Sequence, residues 1–115
     1  MRTPLPDRRP SATTTVTWEG HTFPVSIGLD PETGRPLEVF AEVAQGGQFQ
    51  WAVADACVII SLALQHGIAP ADLAKSLGRV PGLVWDKEAQ AMVEVLLPAS
   101  PLGAIVQILE QENEK

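Results

Sequence analysis

The sequence is poor in the residues that usually announce chemistry: its 115 residues include one cysteine and two histidines. One cysteine excludes an internal disulfide and cannot form a thiolate metal site by itself, so Cys57 points to a reducing compartment, and the cytoplasm is the expected location. There is no zinc-ligand spacing, EF-hand loop, P-loop lysine, GxGxxG or paired catalytic carboxylate pattern, so neither metal nor cofactor is expected. Positive charge is also scarce. With 8 Lys and Arg against 14 Asp and Glu, the net charge of −6 disfavours nucleic acid as a general partner, because such binding relies on neutralising phosphates. Residues 1–11 lack the apolar core of a signal peptide, and no segment reaches the roughly 20 apolar residues of a bilayer span, so no membrane association is expected.

What the chain does have is one long apolar stretch, residues 48–66, QFQWAVADACVIISLALQH, followed by Gly67. Between Ala52 and Leu64 only Asp55 and Ser61 are polar, so no solvent face can be drawn and the sequence predicts a helix buried all round. Its alanines and leucines favour helix over strand.

Upstream, Thr14, Val16 and Trp18 alternate with threonines, the pattern of a strand over residues 12–18. Glu19-Gly20 is a two-residue hairpin turn whose register pairs Trp18 with His21, Val16 with Phe23 and Thr14 with Val25. The second strand, residues 21–29, carries Pro24, which lacks a ladder donor and belongs at an edge or a bulge. Residues 30–34, DPETG, form a turn, and a third strand follows over residues 37–43. Downstream, Pro70 opens a second helix over residues 70–77. Residues 82–97 are read as a helix capped by Asp86, on the spacing of Ala89, Met92, Val93 and Leu96, with a strand over residues 92–97 as the alternative. Ser100-Pro101 opens the last helix, striped by Leu102, Ile105, Val106 and Leu109. The fold class is therefore α+β: a three-stranded antiparallel meander packed on a buried central helix, followed by two or three further helices. An extended basic arm (residues 1–11) precedes a single domain (residues 12–112), and an acidic tail (residues 113–115) follows it.

Few residues suggest a site. His21 beside a turn and His66 at a helix end have no accompanying nucleophile motif, and Cys57 inside the central helix reads as a packing group. Asp55 in an apolar helix calls for a partner, either an arginine such as Arg8, Arg9 or Arg35 or solvent at the first exposed turn. Gly46-Gly47 before a helix start is a weak anion signal, and the helix–Gly–helix stretch around Gly67 offers too few cations for a DNA reader. The candidate binding residues are Arg8, Arg9, Arg35, Asp55 and His66, with no catalytic set.

Four segments, LPDRRPS (5–11), VSIGLDPETGRPLEVFAE (25–42), ISLALQHGIAPADL (60–73) and ASPLGAIVQIL (99–109), together resemble the TSCPD domain. That domain is found at the C-terminal end of adenosylcobalamin-dependent (class II) ribonucleotide reductases and as short stand-alone bacterial proteins. The resemblance implies that residues 82–97 are an insertion. At the eponymous motif this chain departs, because Pro98, Ala99, Ser100, Pro101 and Leu102 stand where the family has Thr, Ser, Cys, Pro and Asp. A thiol or metal role there does not carry over, whereas Ser100 and Pro101 keep what a helix start requires. One cysteine cannot serve the dithiol cycle of a reductase, so the chain is not expected to be a reductase on its own. The resemblance implies an accessory or regulatory domain that contacts a ribonucleotide reductase or another protein; the contacts are expected from the basic arm and from exposed apolar residues such as Phe40, Trp51 and Trp85, and a homo-oligomer is a further expectation. The alternative is a stand-alone nucleic-acid or nucleotide binder using Arg2, Arg8, Arg9 and Arg35.

Overall fold

The computed structural model describes residues 10–43 and 47–113. The expected basic arm as far as Arg9, Gly46 before the central helix, and residues 114–115 of the acidic tail lie outside the described residues, while Ser11, expected in the arm, opens the first strand. Strands β1 (Ser11–Trp18), β2 (His21–Leu29) and β3 (Pro36–Ala41) form an antiparallel sheet in the order β1-β2-β3. Helices α1 (Gln48–Gln65) and α2 (Pro70–Lys75) follow, then a second two-stranded sheet of β4 (Arg79–Asp86) and β5 (Ala91–Pro98), and finally α3 (Pro101–Asn113).

The meander forms as its turns dictate. Glu19 and Gly20 both take positive φ (50° and 78°), the primed turn that matches strand twist, and it sets Trp18 opposite His21, Val16 opposite Phe23 and Thr14 opposite Val25. Asp30 accepts backbone N–H bonds from Glu32 (2.8 Å) and Thr33 (3.2 Å) through its carboxylate, and Gly34 turns the chain with φ of 74°. Pro24 lies on the central strand rather than on an edge, but β3 ends at Ala41, and the Pro24 carbonyl takes the Glu42 N–H (3.1 Å) as the last bond of the β2–β3 ladder. Its missing donor therefore falls at the margin of the sheet.

One sheet face carries Val16, Phe23, Val25, Ile27 and Val39, all buried. Against it pack Val53, Cys57, Ile60 and Leu64 of α1 and Ala104, Ile105, Val106 and Leu109 of α3. The opposite face of β1 presents exposed threonines. Helix α1 ends in a left-handed cap at Gly67 (φ 89°), where Ile68 donates to the Ala63 carbonyl and Gly67 to that of Leu64, both at 3.0 Å. Helix α3 starts as the sequence predicts, with the Ser100 hydroxyl accepting the Gly103 N–H at 3.1 Å.

Two expectations fail. Helix α1 is not buried all round: Trp51 is 67% exposed and Ile59 62%, and Val58 and Asp55 are also exposed. Only one side of α1 meets the sheet and α3, because the layers available cover a single face of a helix. By length and its mean hydropathy of 1.2, α1 matches a membrane span, as the core helix of a soluble protein also does. Its buried third faces the sheet, where its polar side chains bond strand β3.

Residues 82–97 are not a helix but most of the β4–β5 hairpin, with Trp85 opposite Met92 and Val84 opposite Val93. The spacing of Met92, Val93 and Leu96 suits either conformation, and the β-branched and aromatic residues Val80, Val84, Trp85, Val93 and Val95 decide for strand. Asp86, the expected helix cap, closes the hairpin turn instead, accepting the N–H groups of Glu88 (2.9 Å) and Ala89 (3.3 Å). Gly82 leaves the space that the end of the Leu97 side chain fills as it crosses from β5, and a Cβ there would make that side chain turn aside.

Candidate functional site

Arg8 and Arg9 lie outside the described residues. The remaining candidates are not brought together. Arg35 is exposed at the end of the β2–β3 turn, where its backbone N–H donates to the Thr33 hydroxyl (3.2 Å). Asp55 is exposed on the outer side of α1 and needs no buried partner, because solvent reaches it. His66 caps the C-terminus of α1 with Nδ1 2.8 Å from the Leu62 carbonyl oxygen. Asp55 and His66 share a face of α1 but stand about 16 Å apart along its axis. Among the described residues no three His, Cys, Asp or Glu side chains gather where a metal ion would bind.

The second histidine is held by aromatics. His21 stacks on Phe49 at a ring-centroid distance of 3.9 Å, and Trp18 stacks on Phe49 at 6.2 Å. The Trp18 indole N–H donates to the Pro98 carbonyl (3.2 Å), tying the meander to the base of the β4–β5 hairpin.

The most organised polar arrangement lies along the outer edge of β3. Gln65 donates to the Leu37 carbonyl (3.0 Å), and Ser61 accepts the Val39 N–H (3.0 Å) and faces the Val39 carbonyl (3.3 Å). The Ala41 N–H faces the Cys57 sulfur. Four helical residues rise about 6 Å and two strand residues about 6.6 Å, so positions 65, 61 and 57 of α1 keep step with positions 37, 39 and 41 of β3. An edge strand is thereby sealed by a helix instead of a neighbouring strand. Burial pushes the Cys57 thiol up from 9.0 to about 11, and the Ala41 N–H offsets part of that rise. The thiol is neutral at physiological pH and is a poor nucleophile.

The expected contact aromatics Phe40, Trp51 and Trp85 are all exposed. Two apolar surfaces result. On the first, Phe40, Ala54 and Val58 line an open groove of about 790 Å³ between β3 and α1, continuous with the outer side of the helix. The second is one face of the β4–β5 hairpin, where Leu83, Trp85, Met92 and Leu96 are each more than half exposed. Leu83, Met92 and Leu96 were not singled out from the sequence as contact residues, although the alternation around Leu83 and Trp85 was there to be read.

No curated protein and no solved structure matches this chain. A family model does match, that of the TSCPD domain, over residues 2–113. The match runs through the meander, both helices that follow it, the hairpin and α3, and the chain therefore belongs to the TSCPD domain family.

Proposed function

We propose that this chain is a non-catalytic accessory or regulatory domain that works by protein–protein contact, with a class II ribonucleotide reductase as its partner. The observation that carries the reading is the apolar face of the β4–β5 hairpin. Leu83 and Leu96 are 63% and 62% exposed, and Trp85 and Met92 lie opposite one another beside them. Among the described residues neither outer edge of this ribbon pairs with another strand. A two-stranded ribbon has little stability of its own, and an exposed aromatic and aliphatic cluster is the usual core of a contact surface. The neutral Cys57 thiol and the separation of Asp55 from His66 support a role without chemistry.

The test is co-elution of the full chain with a purified class II reductase, together with the reductase rate as the chain is added. Co-elution and a changed rate are expected, and both are lost in a Leu83→Ser/Trp85→Ser variant. No co-elution and an unchanged rate with the wild-type chain would overturn the proposal.

A further inference from the structure

The outer side of α1 is a second apolar surface, on the opposite side of that helix from the core, and the hairpin contact does not use it. It runs Trp51, Asp55, Val58, Ile59, Leu62 and His66, residues that share one face at helical spacing. Its two polar members are placed symmetrically: Asp55 stands four residues before Ile59, and His66 four residues after Leu62. A surface that pairs with its own copy about a twofold axis must be self-complementary, and this one is.

We infer that the chain forms a homodimer in which two α1 helices pack antiparallel about an axis between Ile59 and Leu62. Ile59 then packs on Leu62 of the second copy, and Asp55 stands beside His66 of the second copy, twice over. Because the His66 Nδ1 faces the Leu62 carbonyl, Nε2 is the atom turned toward that carboxylate. Trp51 reaches the far end of the opposing helix, where Ile68 is partly exposed. Ala52 and Ala63 flank the stripe and let the helices approach closely.

The area suffices. Trp51 is 67% exposed, Ile59 62% and Val58 55%. An aromatic that buries roughly 150–250 Å² in full thus leaves about 130 Å² for Trp51 to offer. With the other residues of the stripe and Ile68 the face comes to roughly 550 Å² per copy, so a pair removes about 1,100 Å², at the lower bound of specific interfaces. Apolar burial supplies the affinity, and the two Asp55–His66 contacts fix the antiparallel register.

Sedimentation velocity on the full chain at about 50 µM, above the dissociation constants of weak specific complexes, tests this directly. The expected mass is twice 12.3 kDa. Ile59 is exposed, so Ile59→Asp should keep the far-UV circular dichroism of the wild type while the dimer is lost. Asp55→Arg should raise the dissociation constant about tenfold, and Asp55→Arg/His66→Glu should recover most of that loss. A monomeric wild type, a dimer indifferent to Ile59→Asp, or a pair of charge variants without recovery would each overturn the inference. So would a monomer that instead co-sediments with phosphatidylglycerol vesicles, which would assign the face to a lipid surface. None of these readings requires the reductase, so the failure of one proposal does not disturb the other.

Discussion

The two β units of this chain have similar ingredients and opposite circumstances. The meander places Val16, Phe23, Val25, Ile27 and Val39 on one face and covers it with two helices, while Ser61, Gln65 and Cys57 of α1 close its β3 edge. The hairpin carries Val80, Leu83, Val84, Trp85, Met92 and Leu96, all left in contact with water, and both of its outer edges are unpaired among the described residues. Apolar strand content is therefore not what separates a core from a contact surface here. The difference is whether a later element of the same chain returns to cover the strands: α1 and α3 do so for the meander, and only the base of the hairpin is tied down, through the Trp18–Pro98 bond and the Ala99 N–H to Gly78 carbonyl bond (3.0 Å).

The largest expected effect comes from opening the covered unit. Leu109 of α3 is fully buried in the shared core, so Leu109→Ala should destabilise the protein by about 3 kcal/mol, the transfer loss plus a cavity. Thermal unfolding followed by circular dichroism should show the midpoint falling by about 10 °C. A drop of only one or two degrees would mean that α3 does not cover the sheet as described.

A pH titration sharpens the account of the sealed edge. In the unfolded chain the Cys57 thiol ionises near its ordinary value of 9.0, and in the fold only near 11. Between those values the unfolded state releases a proton that the folded state keeps. The stability present below pH 9 therefore declines as pH rises to 11, by about 2–3 kcal/mol at 1.36 kcal/mol per unit. Cys57→Ser keeps an acceptor for the Ala41 N–H and removes the titrating group. Urea unfolding at pH 8 and pH 10.5 should show a smaller decline for the variant, and equal declines would contradict a buried thiol.

The same contrast explains what the sequence revealed and what it hid. The meander was legible to the register because Glu19-Gly20 and the DPETG turn are local signals, and Ser100-Pro101 marked the start of α3 for the same reason. The hairpin was misread because Ala89, Met92, Val93 and Leu96 fit a helical stripe as well as a strand, and Asp86 bonds forward N–H groups in a helix cap and in a turn alike. The exposure of α1 was hidden because hydrophobicity records what a side chain avoids, not whether its own chain covers it. The Gln65–Ser61–Cys57 ladder needs the alignment of α1 with β3, which no local pattern supplies. Of the candidate residues, Asp55 and His66 were singled out one by one, and that both stand on the outward side of α1 needs the placement of that helix against the sheet.

The smallest expected effect is the one that separates a contact surface from a failed core. Leu83 and Trp85 touch solvent over more than half of their surface, so serine at either position removes little buried area from the isolated chain. Surface changes of this kind stay within about 0.5 kcal/mol, and here the unfolding midpoint should move by no more than about 2 °C. Val84 and Val93 pair on the other face of the ribbon, and its base is held by the Trp18–Pro98 and Ala99–Gly78 bonds, so its place in the free chain does not depend on Leu83 and Trp85. If Leu83→Ser or Trp85→Ser instead cost as much as Leu109→Ala, the hairpin face would already be folded against something in the free protein, and the division between a covered and an uncovered β unit would be wrong.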